Sequence, residues 1–424
     1  MIGTGNRQSE QFALRGWQHG LVFLLAFAVL VTRRPDAVFH AQFWAEDGRV
    51  FYMDAYNLGW WSAMFHPYDG YFHLAPRLVA SLALLAPLSA APLVMNVIAI
   101  AVQAIPVNLL LMARSAAWGN FPCRLSFAGV YLALPNNTDV NYGITNAQWF
   151  LAVAAFLILV ASPANDKVSK IVDQVILLFS GLSGPFCIFL LPIAAISAWK
   201  HRTAWRWAPT GVLAACSLVQ AWGLLVADNA GRPQSPLGAS LSLFMRIIGG
   251  QIYFGTLLGR NNLSANASTA AVAMLAGVAI AGTVFLVACF VRAGVELRLL
   301  LALAAIILAA SLISPATVPV AGMSRWEELA QAAGIHYWFF PTLVGAWSII
   351  WAVYSHVEAL RAVAVVLVCI MPLGIAHDWR HPALSDLQFA KYAWNFEAAP
   401  NGTAVTIPLH PEGWTMRLVK HAAR

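Results

Sequence analysis

Charged side chains are scarce in this sequence. Asp, Glu, Lys and Arg together make up 10% of its 424 residues, whereas soluble globular proteins carry about 25%. So few charged residues cannot cover the surface of a water-soluble protein of this size. Disorder is excluded as well, because disordered chains combine low hydrophobicity with high charge. The 60% share of apolar residues therefore predicts a polytopic membrane protein.

Several common motifs are also missing. The five cysteines form no CxxC motif and no Cys/His cluster, which argues against a zinc site or a disulfide framework. The sequence has no Gly-rich phosphate loop, Ser/His/Asp arrangement or GxSxG elbow. Nucleic-acid binding is not expected despite the net charge of +7, because no basic run has the needed density. Any catalytic or binding chemistry must come from the few polar residues, which are clustered in short segments of the sequence.

Long apolar segments predict an all-α bundle of about eleven transmembrane helices. The polar start of the chain precedes an apolar stretch without a small-residue cleavage site, which indicates a retained first span rather than a signal peptide. The predicted spans are 17–33, 92–112, 124–137, 147–162, 171–183, 184–199, 207–226, 268–291, 297–314, 337–354 and 360–376.

The segment 74–91 is apolar but contains Arg77 and prolines, so the distribution of basic residues decides whether it crosses. If it stays on one surface, short connections on the opposite side collect most of the charge. These residues are Arg7, Arg15, Arg114, Arg124, Lys167, Lys170, Lys200, Arg202, Arg206, Arg292, Arg298 and Arg361. A crossing would reverse this bias. We therefore predict an outer interfacial helix at 74–91, a cytoplasmic N-terminus and an outer C-terminal tail.

This topology predicts two parts. Residues 1–376 form the transmembrane domain, with a first outer loop at 34–91, and residues 377–424 form the outer tail. The tail is expected to contain one or two short strands after the turn Pro400-Asn401-Gly402. The half-apolar stretch from Arg246 to Arg260 is expected to form a second interfacial helix.

Two adjacent carboxylates, Glu46 and Asp47, stand in the first outer loop between aromatic residues. Adjacent carboxylates repel each other, which raises the pKa of one of them unless a cation or hydrogen bonds intervene. A carboxylate in that state can act as a general base on a hydroxyl. The alternative is a pair placed for the helix dipole, or a solvated loop charge.

A second cluster follows in the same loop. Tyr68 and Asp69 belong to a turn signal, and His66, Asp69 and His73 could hold a metal by residue type. They could equally anchor the loop at the membrane interface. Arg77 could hold a lipid phosphate with both guanidinium nitrogens, or merely extend to the headgroups.

Polar residues also stand at the outer ends of later spans. Asn146 and Gln148 have amides suited to sugar hydroxyls, although Asn146 could be a helix cap. Arg325 and His336 place cations near the outer surface. Tyr337 belongs to an aromatic run that could be an interfacial belt.

A set of motifs in this order resembles the GT-C membrane glycosyltransferases. An outer loop starting with the carboxylates, followed by an interfacial helix and the second span, is similar to the first loop of that family. More narrowly, the motifs resemble bacterial O-antigen glucosyltransferases of the serotype-converting type, over about residues 40–416. The motifs are WAEDG (44–48), PYDGYFHLAPRL (67–78), ITNAQW (144–149), LSGPF (182–186), HYWFFP (336–341) and IPLHPEGW (407–414).

The resemblance implies an enzyme of the bacterial inner membrane with a periplasmic active site. Such enzymes transfer a sugar from a polyprenyl phosphate, such as undecaprenyl phosphate, to an acceptor hydroxyl, usually with inversion. The acceptor would be a glycan or lipid-linked saccharide, as in O-antigen or lipopolysaccharide. A loop carboxylate is the usual base, so Glu46 or Asp47 would take that role, with a slight preference for Asp47. Arg77 would contact the donor phosphate.

Two departures from the family pattern leave the phosphate ligand open. His336 stands where many relatives have Arg, and the 183–184 turn lacks the Lys of some other branches. Mg²⁺ or Mn²⁺ held by the carboxylates is a further possibility. The candidate substrate-binding residues are therefore Arg77, Tyr68, Asp69, His73, Asn146, Gln148, Arg260, Arg325, His336 and Tyr337.

Two other functions fit a polytopic chain. A flippase or transporter of a lipid-linked saccharide would place charged residues or broken helices near the middle of the membrane. The predicted spans contain almost no such residues, whereas the acids lie in the loops. A noncatalytic assembly subunit is the third hypothesis.

The predicted topology is testable by cysteine labelling in intact cells. Cysteines that replace Glu46 and His336 should react with a membrane-impermeant maleimide added outside. A cysteine that replaces Lys200 should react only after the cells are opened, because that residue is predicted to be cytoplasmic. Labelling of positions 46 and 336 from opposite sides would contradict the topology.

Overall fold

The computed structural model describes residues 14–201, 205, 207–226, 235–265, 268–316 and 320–421, and these are mostly helical. The predicted cytoplasmic residues Arg7, Arg202 and Arg206 lie outside this part. The helices are α1 (Gly16–Arg33), α2 (Asp36–Phe39), α3 (Met53–Asn57), α4 (Trp60–Met64), α5 (Leu74–Ala83), α6 (Ala91–Leu111), α7 (Phe121–Leu132), α8 (Ala147–Val160), α9 (Lys167–Leu182), α10 (Phe186–His201), α11 (Trp207–Val226), α12 (Leu241–Arg246), α13 (Gly255–Leu258), α14 (Thr269–Arg292), α15 (Val295–Ile313), α16 (Arg325–Gln331), α17 (Phe339–Val353), α18 (Glu358–Asp378) and α19 (Phe389–Ala398). The strands are β1 (Ala404–Leu409) and β2 (Trp414–Val419).

Within the described part, seven helices are long and apolar enough to cross a membrane, which supports the prediction of a membrane protein. They are Gly16–Arg33, Leu88–Leu111, Trp207–Leu225, Leu241–Leu258, Thr269–Arg292, Val295–Ile313 and Glu358–Asp378. Six of them coincide with predicted spans. At the other five predicted spans, the helices α7, α8, α9, α10 and α17 are only 12 to 16 residues long. The total of about eleven spans therefore stays a prediction.

The segment 74–91 begins and ends on the same side of the bundle. At its start the Ala75 N–H donates to Ser183 Oγ at 2.9 Å, and at its end the Leu88 N–H donates to Glu397 Oε1 at 2.9 Å. Ser183 belongs to the turn between α9 and α10, and Glu397 belongs to the C-terminal tail. Pro185 and Pro411, from that turn and that tail, border one cavity. The geometry agrees with an interfacial α5.

The stretch from 241 to 258 differs from its prediction. It is one continuous helix in which α12 and α13 are joined by the π-helical segment Ile247–Phe254, and it is long and apolar enough to span. The Trp326 N–H donates to Leu237 O before the helix, and Arg260 pairs with Asp378 after it. An interfacial helix was expected because the stretch is only half apolar and was placed on the outer side.

One buried arginine ties together the ends of three helices. Arg33, the last residue of α1, is 2% exposed. Its guanidinium donates to Leu132 O at 2.9 Å, Leu134 O at 3.0 Å and Trp379 O at 3.3 Å. Leu132 is the last residue of α7, Leu134 lies two residues beyond it, and Trp379 directly follows α18. Carbonyls at helix C-termini have no intrahelical partner and lie at the negative end of the dipole. A single cation therefore stabilises several helix ends at once.

The C-terminal tail forms a small cap on the first outer loop. Strands β1 and β2 pair as an antiparallel hairpin, which confirms the strands predicted after the turn at 400–402. Leu409 of β1 packs against Gly48, and the Asn57 side chain donates to Arg417 O at 2.8 Å. The guanidinium of Arg49 lies 4.9 Å from the Trp414 ring. These contacts hold the loop with the two carboxylates against the tail.

Replacing Arg33 with Lys should destabilise the helix bundle. An ammonium cannot reach all the carbonyls that the guanidinium binds, so the free energy of unfolding should fall by about 1.5–3 kcal/mol, the value of a hydrogen bond to a charged group. Thermal unfolding of the purified protein in detergent measures this. Arg292→Lys, at the exposed end of α14, is the matched control. Equal midpoints for the two variants would contradict the role of Arg33.

Candidate active site

A polar cavity lies beside the first outer loop and has two adjoining lobes. Both lobes are bordered by Trp44, Asp139, Ala316, His336 and Tyr337. The first, which we call the membrane-side lobe, has a volume of about 600 Å³ and reaches the apolar helices α10 and α15. Its further lining includes Glu46, Tyr68, Asp69, Tyr71, His73, Thr145, Asn146, Gln148, Phe189, Ile307, Arg325 and Trp414.

The second lobe, which we call the loop-side lobe, has a volume of about 690 Å³. Its walls are connecting segments rather than spans. Its further lining includes Thr138, Tyr142, Arg260, Met323, Glu328, Gln331 and Gly334. The cavity thus has one lobe against membrane helices and one among loops.

Glu46 is the loop carboxylate that faces the cavity. It borders the membrane-side lobe, as Tyr68 does. Burial, together with the neighbouring carboxylates of Asp47 and Asp139, raises the pKa of Glu46 to about 7 against the opposing effects of a backbone hydrogen bond and of His336. A carboxyl with a pKa near neutrality can accept a proton and release it again under physiological conditions.

Asp47 points away from the cavity. It is 1% exposed and accepts hydrogen bonds from the Ile144 N–H at 3.0 Å, the Thr145 N–H at 2.9 Å and the Thr145 hydroxyl at 2.5 Å. Burial raises the pKa of Asp47 to about 6 against the effect of these bonds and of Arg34. A Cβ at position 143 would collide with the carboxylate, so Gly143 is needed there. Asp47, slightly preferred as the base from the resemblance, therefore positions the loop before α8.

Arg77 lies elsewhere than the resemblance implies. It is 1% exposed, pairs with Asp54 at 3.0 Å and lies with its guanidinium 5.4 Å from the Phe51 ring. It borders neither lobe, so this structure offers no contact between Arg77 and a donor phosphate in the cavity. A buried guanidinium needs partners for its charge, and Asp54, seven residues after Asp47 in the short helix α3, provides a carboxylate for Arg77.

The proposed metal ligands do not come together. His73 is 1% exposed, its Nε2 lies 3.2 Å from Tyr68 O, and burial lowers its pKa to about 3, with Arg77 adding to the effect. Among the residues that the structure describes, no group of three His, Cys, Asp or Glu could hold a metal ion. The predicted site of His66, Asp69 and His73 therefore does not form in this part of the chain, and we derive no step through a metal.

The other sequence candidates do converge on the cavity. Asn146 donates to Asp139 O at 3.0 Å, and His336 Nδ1 lies 2.7 Å from Asp139 Oδ2. Gln148 lies so close to Gly184 that a Cβ at position 184 would collide with the Gln148 amide. Tyr68, Asp69, His73, Asn146, Gln148, Arg325, His336 and Tyr337 border the membrane-side lobe.

Arg260 borders the loop-side lobe but not the membrane-side lobe. Its Nε lies 3.3 Å from Asp378 Oδ1, and its backbone N–H donates to Asp378 Oδ2 at 2.7 Å. Asp378 is 1% exposed. The Arg260 charge is therefore balanced by a buried carboxylate at the end of α18.

Sequence reasoning missed two groups of the cavity. Asp139 links His336 to Asn146 and borders both lobes. Its position in the polar stretch 135–143, unusual between two apolar segments, was the available signal. Trp414 also borders the membrane-side lobe, although its motif IPLHPEGW supported only the family resemblance and gave no candidate site residue.

No model of a known protein family matches the chain, and a search of curated proteins finds no match either. The resemblance to GT-C glycosyltransferases therefore remains an expectation from the motifs. The functional argument below depends on the geometry of the cavity.

Replacing Asp47 with Asn should destabilise the loop without removing a cavity group. The amide would turn its NH₂ toward backbone N–H donors of Ile144 or Thr145, and loss of such a buried bond costs about 1–3 kcal/mol. Thermal unfolding in detergent measures the change. Asp166→Asn is the control, because Asn caps a helix as well as Asp does at the exposed start of α9. An unchanged midpoint for Asp47→Asn would contradict the positioning role.

Proposed function

We propose that this chain is a membrane glycosyltransferase that moves a sugar from a polyprenyl-phosphate donor to an acceptor hydroxyl. The observation that supports this most is Glu46. Its carboxyl has a pKa near neutrality and borders a polar, two-lobed cavity at the end of apolar helices. The motif resemblance points to the same reaction.

Glu46 is the general base in this proposal. It removes the proton from the acceptor hydroxyl, whose oxygen attacks the anomeric carbon of the donor sugar. The bond between that carbon and the phosphate oxygen breaks, and the polyprenyl phosphate leaves with the electron pair. Attack opposite the leaving group inverts the anomeric configuration. Tyr68 borders the same lobe as Glu46, where its hydroxyl can orient the carboxyl in the complex with substrate.

A cation at the cavity stabilises the leaving phosphate. Arg325 borders the membrane-side lobe, and its Nε has no hydrogen-bond partner among the described residues. His336 borders the same lobe but is paired with Asp139. Charge that develops on the phosphate oxygen in the transition state is stabilised most by donors already in place. Arg325 replaces Arg77 as the proposed phosphate ligand.

The membrane-side lobe suits a lipid-linked donor. Phe189 of α10 and Ile307 of α15 form part of its wall, so a polyprenyl tail can stay among apolar helices while its headgroup reaches Glu46. The basic connections predicted to be cytoplasmic include Arg114 and Lys200, at the helix ends opposite the cavity. In the proposed orientation, the cavity opens to the periplasm, where nucleotide sugars are absent and a lipid-linked donor is required.

Removal of the Glu46 carboxylate should abolish most sugar transfer. Glu46→Gln should lower kcat by about 10²–10⁴-fold, the usual contribution of a general base. In the wild type, kcat/KM should rise with pH through about 7, because the base works only when ionised and Glu46 has a raised pKa of about 7. Both are measured by transfer from a polyprenyl-phosphate sugar to membrane-extracted acceptors.

The controls separate chemistry from folding. Glu358→Gln, at the exposed start of α18, should keep the wild-type rate. Asp47→Asn should mainly lower the free energy of unfolding, and it should lower kcat less than Glu46→Gln does. Wild-type activity in Glu46→Gln would refute Glu46 as the base, and wild-type activity in both carboxylate variants would refute the catalytic loop as a whole.

A further inference from the structure

Two buried polar groups in the loop-side lobe have atoms without a partner. Glu328 is 8% exposed; its Oε1 accepts from the Val320 N–H at 2.8 Å, but its Oε2 has no hydrogen-bond partner among the described residues. Thr138 is 7% exposed, and its hydroxyl has no partner in the same part of the chain. Both residues border the lobe. Buried polar atoms are usually paired, so unpaired ones in a cavity wall point to a ligand with polar groups.

The donor and acceptor types of these atoms suit a ligand rich in hydroxyls. A carboxylate oxygen only accepts, whereas a threonine hydroxyl both donates and accepts. A sugar hydroxyl can satisfy either. The nearby Gln331 amide adds a further donor and acceptor at the lobe.

Aromatic rings form another wall of the lobe. Trp44 stacks on Tyr142 with ring centroids 4.4 Å apart and planes 15° from parallel, and both border the lobe. Flat aromatic faces bury large apolar area while their polar edges remain available. Saccharides combine apolar C–H faces with hydroxyls, so this pairing of rings and polar atoms matches their surface.

The charges of the lobe favour a neutral ligand over a phosphate. Arg260 pairs with Asp378, and His336 pairs with Asp139. Glu328 adds a carboxyl that would repel an anion. The lobe is also walled by connecting segments, so its ligand needs no contact with the apolar helices. Its volume of about 690 Å³ lies within the usual range for ligand pockets, about 300–1,000 Å³.

We propose that the loop-side lobe binds the acceptor saccharide, with Glu328 and Thr138 as the residues that determine its specificity. This inference rests on the proposed transferase function. Trp44, Asp139 and His336 border both lobes. An acceptor in the loop-side lobe can therefore present a hydroxyl to Glu46 in the adjoining membrane-side lobe. The donor then occupies the membrane-side lobe, and the two substrates meet at the shared border.

A binding measurement tests the site independently of catalysis. The full-length protein in lipid nanodiscs is applied to an array of neutral oligosaccharides of bacterial type. The wild type and Glu46→Gln should bind the same saccharides. Glu328→Gln and Thr138→Val should weaken that binding by about tenfold or more, the effect of one lost hydrogen bond in a buried site. Thr138→Ser keeps the hydroxyl and should bind like the wild type, which separates loss of the hydroxyl from misfolding.

Steady-state kinetics give the second readout. Glu328→Gln and Thr138→Val should raise KM for the acceptor about tenfold or more and leave KM for the polyprenyl-phosphate sugar unchanged. Glu358→Gln should change neither.

The outcomes separate this inference from the proposed function. Wild-type transfer with unchanged acceptor KM in both variants would overturn the acceptor site and leave the transferase standing. Saccharide binding that depends on Glu328 and Thr138, without transfer by the wild type, would overturn the transferase and keep the saccharide site. Failure of the wild type to bind any saccharide on the array would overturn the inference.

Discussion

Three hydrogen bonds to one buried carboxylate hold the cavity in its shape. Asp47 accepts from the backbone and hydroxyl at 144–145, which joins the first outer loop to the start of α8. With Asp47 turned inward, its neighbour Glu46 is turned toward the cavity. The amides of Asn146 and Gln148 follow directly on the bonded segment, so the same interaction places them in the wall of the lobe that Glu46 borders.

The scarcity of charge explains why these groups are so tightly paired. An ionised side chain away from water needs a partner, and the chain supplies one to each: Asp54 to Arg77, Asp378 to Arg260 and helix-end carbonyls to Arg33. Arg325, Glu328 and Thr138 each have a side-chain atom without a hydrogen-bond partner among the described residues, and they border the cavity together with Glu46. The proposals for catalysis and acceptor binding rest on these four residues.

Sequence patterns predicted which segments of the chain line the site but not the role of each residue in it. Motif order pointed to the stretches around 46, 68, 146 and 336, and the structure brings them to one cavity. Arg77 shows the limit, because a motif cannot reveal that Asp54 lies within 3.0 Å of its guanidinium. The cluster of His66, Asp69 and His73 does not form for a related reason, since residue types suggest metal ligands only if the backbone brings them within reach of one ion. Asp139 was missed because its partner His336 is distant in the chain.

Composition by itself determined that this protein belongs in a membrane, and apolar length placed most of the helices, because both depend on local hydrophobicity. The hairpin of the tail was also visible locally, in alternation after a turn. Only the tertiary structure decided which of two adjacent carboxylates faces the cavity, which arginines are already paired and where two lobes meet. All three features depend on contacts between segments up to several hundred residues apart in the chain. Two adjacent carboxylates can take different roles only because such contacts give them different surroundings.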